Sequence, residues 1–267
     1  MICELLGIPS EDRADFQRLS TARFDLLAGA GPSLRALSES LTYLRGVVKD
    51  QRANPGDGLL GMLITEHGED ITDEELAGLA DGLLTGGLET TASMLALGAL
   101  LLLQDEDRER LLCDETAAAP VVEELLRYLS VVQVAFPRFA TQDMHIGGVQ
   151  IAAGDLVVCS LSGADRDQTL GPGMEHFDPV RDPTAHLAFG YGIHRCLGAE
   201  LARMELRIAY PALLRRYPDI ALAAAPEELS FRTTSLVFGL DSLPVTLGHA
   251  HNPARRWTRT HTAGGNP

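Results

Sequence analysis

A ten-residue stretch, Phe189 to Gly198, constrains the fold more than any other part of the sequence. It reads Phe-Gly-Tyr-Gly-Ile-His-Arg-Cys-Leu-Gly and precedes an amphipathic segment, 199–216, that predicts a helix. Glycine residues allow a loop to fold closely around a sulfur atom and to direct N–H groups at it. The N-terminus of the helix adds partial positive charge beside the same atom. These features favour Cys196 as a thiolate, the form that binds a soft metal.

Three interpretations of Cys196 are open. A buried structural cysteine in a Gly-rich turn is the simplest, but it does not account for Phe189 and His194 within the same ten positions. A zinc site needs further Cys or His ligands at short spacing, and the sequence holds no Cys-x-x-Cys. A single thiolate bound axially to haem iron agrees best with the stretch.

Composition and charge limit the class of protein. The 267 residues are 45% hydrophobic and 22% charged, as in a globular chain with material for a core. The net charge of -15 argues against general nucleic-acid binding. The longest apolar run, Met94 to Leu103, is too short to span a bilayer, and no signal-peptide pattern is evident, so we expect no membrane partner. Four scattered cysteines indicate a reducing cytoplasm.

The hydrophobic pattern predicts a mainly α-helical chain with small β-sheets, an α+β organisation. Helices are predicted over 10–28, 33–51, 59–66, 72–104, 105–113, 120–129 and 199–216, with a helical turn over 162–167. A capping box at 72–75 marks the start of the longest helix. Strands are predicted over 134–141, 144–151 as a hairpin around Gly147-Gly148, 156–161 as a buried strand, and 231–247 as short pieces.

The central predicted helix, 72–104, contains Gly-Gly-Leu-Glu-Thr-Thr at 86–91. Each glycine in a helix interior costs roughly 1 kcal/mol relative to alanine, so the pair needs a reason. Space for a flat ligand is one, and a close helix crossing is the alternative. The Thr90 hydroxyl can bond to the carbonyl of Gly86 or open the helical bond of that carbonyl, and either distorts the helix locally. Beside it, the Glu89 carboxylate could pass protons to a bound ligand.

Four landmarks follow one another along the chain: Gly-Gly-Leu-Glu-Thr-Thr at 86–91, Glu-x-x-Arg at 124–127, Phe-Pro-Arg at 136–138 and the Cys loop at 189–198. In this order they resemble a bacterial cytochrome P450, a haem-thiolate monooxygenase. The Cys loop matches the family pattern F-x-x-G-x-[HR]-x-C-x-G and is the most specific part. The resemblance implies a cytochrome P450 domain over 1–247, followed by a polar tail, 248–267, that we expect to be disordered.

The resemblance implies haem as the cofactor and gives the motifs their roles. Cys196 would be the axial ligand of the iron, with Phe189 packed beside the sulfur, and Gly198 would let the following helix approach the macrocycle. His194 and Arg138 match positions that bind haem propionates, which need cationic or N–H partners in a partly dry site. The implied haem-contacting residues besides the ligand are therefore Phe189, Gly190, His194, Gly198 and Arg138.

Glu89 and Thr90 match the acid–alcohol pair of the family's central helix, which supplies protons for the cleavage of dioxygen. Many members carry Asp where this chain has Glu89, a change that moves the carboxylate by one methylene. The implied reaction hydroxylates or otherwise oxidises a small organic substrate, with electrons from a ferredoxin-type donor. Arg195, Arg203 and Arg207 are candidates for contact with that acidic donor, and a solvated helix face is the alternative.

The resemblance also assigns a structural cluster and a substrate-facing set. Glu124 and Arg127 would form a buried ionic cluster, whose third member aligns with His176, with Arg181 as the other candidate. With histidine as a member, the cluster would weaken above the pKa of that side chain. The residues expected to face the substrate are Gly86, Gly87, Val134, Phe136 and Val237.

The family carries a long N-terminal portion that this chain lacks, including the first sheet strands and the segments that cover the active site. We therefore expect an unpaired sheet edge around 134–161 and a haem open on one side. Two functions are compatible with this: a ferredoxin-dependent monooxygenase, or a catalytically impaired haem-binding remnant.

Overall fold

The computed structural model describes residues 2–248, so most of the predicted polar tail lies outside the described residues. Within that range the chain is mainly helical with short strands, as expected. The helices are α1 (Ile2–Leu5), α2 (Arg13–Phe24), α3 (Ala30–Ala53), α4 (Leu59–His67), α5 (Asp73–Leu102), α6 (Arg108–Leu111), α7 (Glu115–Leu129), α8 (Leu161–Asp165) and α9 (Ala199–Arg216). The strands are β1 (Arg138–Phe139), β2 (Met144–Ile146), β3 (Val149–Ile151), β4 (Leu156–Val157), β5 (Ala221–Leu222) and β6 (Val245–Thr246).

The chain divides into two compact units. Unit 1 comprises the residues up to 93 together with 131–164 and 232–239, and unit 2 comprises 94–130, 165–231 and the residues from 240 onwards. Helix α5 therefore contributes its first two-thirds to unit 1 and its last turns to unit 2.

Unit 1 has a helical core in which apolar residues from the first five helices and the α1–α2 connection are buried together. The cluster consists of Cys3, Leu6, Ile8, Phe16, Leu19, Ala36, Leu44, Val48, Leu60, Ile64, Leu76, Ala77, Ala80 and Leu84. At its polar edge the buried Asp81 accepts hydrogen bonds of 2.7 Å from both Arg23 and Ser40. The carboxylate thus has a cationic partner, which a buried charge requires.

Helix α5 begins with the predicted capping box: the Thr72 N–H donates to Glu75 at 2.9 Å and the Glu75 N–H donates to the Thr72 hydroxyl at 3.2 Å. By length and composition alone α5 could cross a membrane. The core helices of water-soluble proteins meet the same criterion, and the first turns of α5 supply Leu76, Ala80 and Leu84 to the core of unit 1.

The strands form three separate antiparallel pairs within the described residues: β1 with β4, β2 with β3, and β5 with β6. The β2–β3 hairpin turns at Gly147-Gly148, as predicted, with Met144 opposite Ile151. The prediction of a buried strand over 156–161 was wrong. Leu156 is 56% exposed and Val158 is 48% exposed, because β4 pairs with β1 alone and each of the two has an open edge.

Helix α7 begins at Glu115, five residues before the predicted start at Pro120. The Asp114 carboxylate caps it by accepting hydrogen bonds of 2.8 Å and 2.9 Å from the N–H groups of Thr116 and Ala117. Those hydrogen bonds hold the pKa of Asp114 below its usual range. The predicted start at Pro120 places proline in the first turn, whereas in the structure it lies in the second turn, behind the Asp114 cap.

Helices α7 and α9 pack together in unit 2, and a buried tyrosine joins α9 to the end of α5. The Tyr210 hydroxyl donates a 2.7 Å hydrogen bond to the carbonyl of Met94. Burial raises the pKa of Tyr210 above its usual range, so the hydroxyl remains a donor. Gly98 makes this approach possible, because a Cβ at that position would overlap the Tyr210 hydroxyl.

We expect Gly98→Ala to lower the free energy of unfolding by about 1–3 kcal/mol, as overpacking does at a well-packed site. The added methyl group would displace Tyr210 from Met94. Urea denaturation of the variant and the parent chain measures the difference.

Gly82→Ala on the same helix is the matched control, since a Cβ there meets nothing within 4 Å. This variant should be more stable than the parent by roughly 0.5–1 kcal/mol, because alanine is the better helix former. Equal stability of the two variants would contradict the packing described for Tyr210.

Candidate functional site

The predicted Cys loop lies in unit 2 and ends at helix α9. Gly190 (φ +69°) and Gly192 (φ +83°) both adopt left-handed backbone conformations, which glycine takes without strain. The loop closes on itself where the Cys196 N–H donates a 2.9 Å hydrogen bond to the carbonyl of Phe189. A Cβ at Gly198 would meet only the Cys196 sulfur, at 3.9 Å. The sequence prediction of a glycine-shaped loop immediately before a helix is therefore confirmed.

Cys196 is exposed, which excludes the interpretation as a buried structural cysteine. Within residues 2–248 no three His, Cys, Asp or Glu side chains are grouped to hold a metal ion, so the zinc interpretation lacks a donor set. The neighbouring apolar side chains are also uncovered, with Tyr191 89% exposed, Ile193 96% exposed and Leu197 90% exposed. A run of uncovered apolar side chains of this size indicates a surface for a ligand or partner.

The Glu124–Arg127 pair is buried, as the resemblance implied, with side chains that are 4% and 1% exposed. Arg127 donates through Nε and Nη2 to the two carboxylate oxygens of Glu124, at 2.7 Å and 2.8 Å. Its other N–H groups reach three backbone carbonyls, those of Asp165 at 2.6 Å, Met174 at 2.8 Å and His176 at 3.0 Å. All five N–H donors of the guanidinium group are thus satisfied.

The prediction of His176 as the third side chain of this cluster was wrong. The His176 imidazole is 78% exposed and lies 3.4 Å from Glu175, and only its backbone carbonyl takes part. Arg181, the other candidate, donates through Nε to Glu124 at 3.2 Å and is 14% exposed. The cluster is therefore two arginines on one carboxylate. Burial raises the pKa of Glu124, but hydrogen bonds from Arg127, the Asp178 N–H and Arg181 outweigh it and lower the pKa below the usual range.

A buried aspartate, Asp165, connects this cluster to the Cys loop. Its carbonyl accepts from Arg127, while its carboxylate accepts from the Ser130 hydroxyl at 2.8 Å and from the Leu187 N–H at 2.6 Å. The Leu187 carbonyl accepts in turn from the Gly190 N–H at 2.7 Å. Sequence reasoning missed Asp165, since nothing in its local sequence distinguishes it from a helical-turn aspartate.

A second ionic group, partly buried, lies beside the ring of Phe189. Arg203 donates to both carboxylate oxygens of Glu123, at 2.7 Å and 3.0 Å, and also to Glu200 at 2.8 Å. The side chain of Arg203 is only 17% exposed. Arg203 is therefore not an open contact point for an acidic electron donor, in contrast to the expectation from the sequence.

The predicted acid–alcohol pair lies on the part of α5 that belongs to unit 1. The Thr90 hydroxyl donates to the Gly86 carbonyl at 2.5 Å, which confirms the predicted bond. Glu89 is 3% exposed and forms an ion pair with Arg232, a residue that sequence reasoning did not single out. Arg232 also donates to the hydroxyl of Ser93 at 3.0 Å.

Arg232 is largely enclosed, with a side chain that is 19% exposed. A Cβ at Gly239 would overlap its guanidinium group and would come within 2.5 Å of the Ser93 hydroxyl, so a larger residue there would displace these side chains. The Arg232 Nε is buried and has no hydrogen-bond partner within the described residues. Arg232 is 143 positions from Glu89 in the sequence, and no local pattern could have paired them.

The residues expected to face the substrate differ in their surroundings, although all of them belong to unit 1. Phe136 is 82% exposed and Val134 is 38% exposed, so both are open to a ligand. Val237 is 2% exposed, and its side chain is a packing residue rather than an open contact. A Cβ at Gly87 would meet the side chain of Ile2 at 3.3 Å, so this glycine supports the interpretation as a close helix crossing. A Cβ at Gly86 would meet nothing within 4 Å.

The two residues expected at the haem propionates are both exposed. Arg138 begins β1 and donates to the carbonyl of Phe136 at 3.1 Å, and no carboxylate pairs with it within the described residues. His194 ends a short turn of 3₁₀ helix in the Cys loop. Both side chains are thus open to an anionic ligand.

Several known proteins that are similar to this chain share one family description. The family described as Cytochrome P450 matches residues 117–238. The chain is 44% identical to cytochrome P450 165C4 of Amycolatopsis orientalis over 246 residues, which are 92% of this chain and 60% of that protein. It is 40% identical to the vitamin D(3) 25-hydroxylase of Pseudonocardia autotrophica, over 93% of this chain and 62% of that protein. The chain thus spans about 60% of the length of these curated relatives.

The fold is similar to a solved structure described as CYP105P1 in complex with filipin I. The TM-score is 0.87 at 40% sequence identity, and the alignment covers 94% of this chain and 64% of that one. The described helices and strands therefore follow the cytochrome P450 fold over the matched portion.

We expect Arg181→Ala to lower the free energy of unfolding by about 1.5–3 kcal/mol, because it removes a charge-assisted hydrogen bond to the buried Glu124. His176→Ala is the matched control and should change stability by less than about 0.5 kcal/mol, since its side chain is exposed. Urea denaturation at neutral pH measures both values. A larger effect of His176→Ala would contradict the cluster described here.

We expect Glu89→Gln to destabilise the fold by about 3–5 kcal/mol, because it leaves the enclosed Arg232 without a counter-charge. The double variant Glu89→Gln/Arg232→Met should be more stable than Glu89→Gln alone, since it removes the unpaired charge. Thermal or urea unfolding of four proteins, namely the parent, Glu89→Gln, Arg232→Met and the double variant, gives the coupling energy. Additive effects of the two substitutions would contradict the ion pair.

Proposed function

The chain belongs to the cytochrome P450 family, and on that premise we propose that it binds haem through Cys196 and oxidises a small organic substrate with dioxygen. The observation that carries the proposal is the glycine-shaped loop that presents the Cys196 sulfur at the surface, immediately before helix α9. Haem is the cofactor of this family, and a cysteine thiolate is its axial ligand.

The residues present fit a haem group. Tyr191, Ile193 and Leu197, all within five positions of Cys196, are uncovered apolar side chains of the kind that a porphyrin would cover. Arg138 and His194 are exposed and would bind the propionates, whose charges need such partners once partly removed from water. A single exposed cysteine with apolar and cationic neighbours supports haem, rather than a metal ion held by several side chains, as the ligand.

When bound, the haem iron supplies the activation of dioxygen. The chain itself would contribute the thiolate of Cys196, held by the hydrogen bond from its own N–H to the carbonyl of Phe189. The partial positive charge at the N-terminus of α9 favours the anionic form of the sulfur. Phe136 and Val134, both exposed, would contact the substrate.

Thr90 and Glu89 would handle protons, but they are not equally free. The Thr90 hydroxyl donates to the Gly86 carbonyl and can exchange that partner for a water molecule. The Glu89 carboxylate forms an ion pair with Arg232, so Glu89 can transfer a proton only when that contact opens. Thr90 is therefore the first candidate for positioning the proton donor.

Hydroxylation is the reaction class that we assign, because a relative of this chain is named as a 25-hydroxylase. Electrons would come from a ferredoxin-type donor in the cytoplasm. Arg195 is exposed and remains available for contact with that donor, whereas Arg203 is held by carboxylates.

A second candidate function is haem binding without efficient turnover. The ion pair between Glu89 and Arg232 favours it, because it engages the acid that would deliver protons. Oxidised product formed with a ferredoxin couple and NAD(P)H separates the two functions: product supports the monooxygenase, and haem binding without product supports the second candidate.

We expect the ferrous protein with carbon monoxide to show the strongly red-shifted Soret band of a thiolate-bound haem. Cys196→Ser should remove this band completely, because a serine hydroxyl stays protonated near neutral pH. Cys159→Ser is the control, since it removes another exposed cysteine and should leave the band unchanged. Retention of the band in Cys196→Ser would overturn the ligand assignment.

A further inference from the structure

We propose that Arg203, fixed by Glu123, is a positioning residue for the haem thiolate and acts through the ring of Phe189. The inference rests on the proposed function, because it assigns this role only where Cys196 binds haem iron. All four residues belong to unit 2, and direct contacts join Glu123 to Arg203, Arg203 to Phe189 and Phe189 to Cys196.

The Arg203 guanidinium group is held in a fixed plane. Its Nε donates to Glu123 Oε1 at 2.7 Å and its Nη2 donates to Glu123 Oε2 at 3.0 Å, a bidentate arrangement between α9 and α7. Its Nη1 donates to Glu200 Oε1 at 2.8 Å. Bidentate arginine–carboxylate pairs determine orientation as well as position, and lysine cannot reproduce them.

Glu123 is itself held by a histidine. Its Oε2 lies 3.1 Å from the Nε2 of His186, a side chain that is only 5% exposed. The Ala188 N–H donates to the His186 Nδ1 at 3.2 Å, so Nε2 carries the hydrogen and donates to Glu123. Burial raises the pKa of Glu123, but hydrogen bonds from His186 and Arg203 outweigh it and lower the pKa to about 2. Glu123 is therefore charged near neutral pH, where it pairs with Arg203.

The fixed guanidinium group lies over the ring of Phe189. The Arg203 Cζ is 4.7 Å from the ring centroid, within the range of a cation–π interaction. The His186 ring is tilted by 45° against the same ring, with 6.1 Å between centroids. The ring of Phe189 therefore has two neighbours, the guanidinium group of Arg203 and the imidazole of His186. Both of these groups are hydrogen-bonded to the carboxylate of Glu123.

Phe189 passes this constraint to the sulfur ligand through its backbone. Its carbonyl accepts the 2.9 Å hydrogen bond from the Cys196 N–H that closes the loop. A shift of Phe189 would thus move the residue that carries the thiolate. Groups that do not touch a metal commonly tune it by orienting its ligand, and hydrogen bonding near the sulfur is one of these controls.

The experiment measures haem affinity and reduction potential, neither of which requires turnover. We expect Arg203→Met to weaken haem binding about fivefold, which corresponds to about 1 kcal/mol, the scale of one cation–π contact. Its ferrous carbon monoxide complex should contain a larger fraction with an ordinary Soret position, and its reduction potential should shift. Arg203→Lys keeps the charge but loses the bidentate pair, so it should lie between the parent and Arg203→Met.

Two further variants make the test specific. Arg215→Met removes the same charge from an exposed position of the same helix and should leave affinity and spectrum unchanged. In a Phe189→Leu background, Arg203→Met should have no additional effect on the spectrum, since the ring that it acts on is gone. Circular dichroism and urea unfolding of each protein separate loss of fold from loss of the ligand geometry.

The outcomes distinguish this inference from the proposed function. A parent chain without the red-shifted band would overturn the proposed function, and this inference with it. A parent chain with the band, together with an Arg203→Met variant identical to it, would overturn only the role of Arg203. An undiminished effect of Arg203→Met in the Phe189→Leu background would overturn the route through Phe189.

Discussion

The arrangement of unit 2 depends on the burial of one positive charge, that of Arg127. An unpaired charge in an apolar interior costs several kcal/mol, so the chain must supply partners for every donor of the guanidinium group. Glu124 supplies two acceptors, and the backbone carbonyls of Asp165, Met174 and His176 supply the others. Those three carbonyls come from the largely irregular segment 165–176. Their hydrogen bonds to Arg127 fix the path of this segment beside α7.

The same requirement reaches the Cys loop. Asp165 gives its carbonyl to Arg127 and its carboxylate to the N–H of Leu187, two residues before Phe189. Helix α7 is therefore connected to the loop by two routes, one through Arg127 and Asp165 and the other through Glu123 and Arg203. A loop with several glycines would otherwise be flexible. These polar contacts restrain the loop, as the proposed ligand role of Cys196 requires.

Local sequence patterns predicted the local structure well. The capping box at 72–75, the hairpin turn at Gly147-Gly148 and helix α9 over 199–216 all follow from residues close together in the chain. The errors concern contacts over long sequence distances. Arg181 rather than His176 completes the ionic cluster because side-chain reach across a folded irregular segment decides the partner, and Arg232 meets Glu89 from 143 positions away. The prediction of a buried strand over 156–161 was wrong for a related reason, since the exposure of a strand depends on which other elements cover it.

The proposed bond between the sulfur of Cys196 and haem iron is the contact on which the proposed function depends. X-ray absorption at the iron edge of the haem-reconstituted protein tests it most directly, because sulfur and nitrogen scatterers are distinguished by distance and phase. The account predicts one sulfur in the first shell of the iron, in addition to the porphyrin nitrogens, and its replacement by a lighter atom when Cys196 is changed to serine. A first shell of nitrogen and oxygen alone in the unaltered chain would contradict the account.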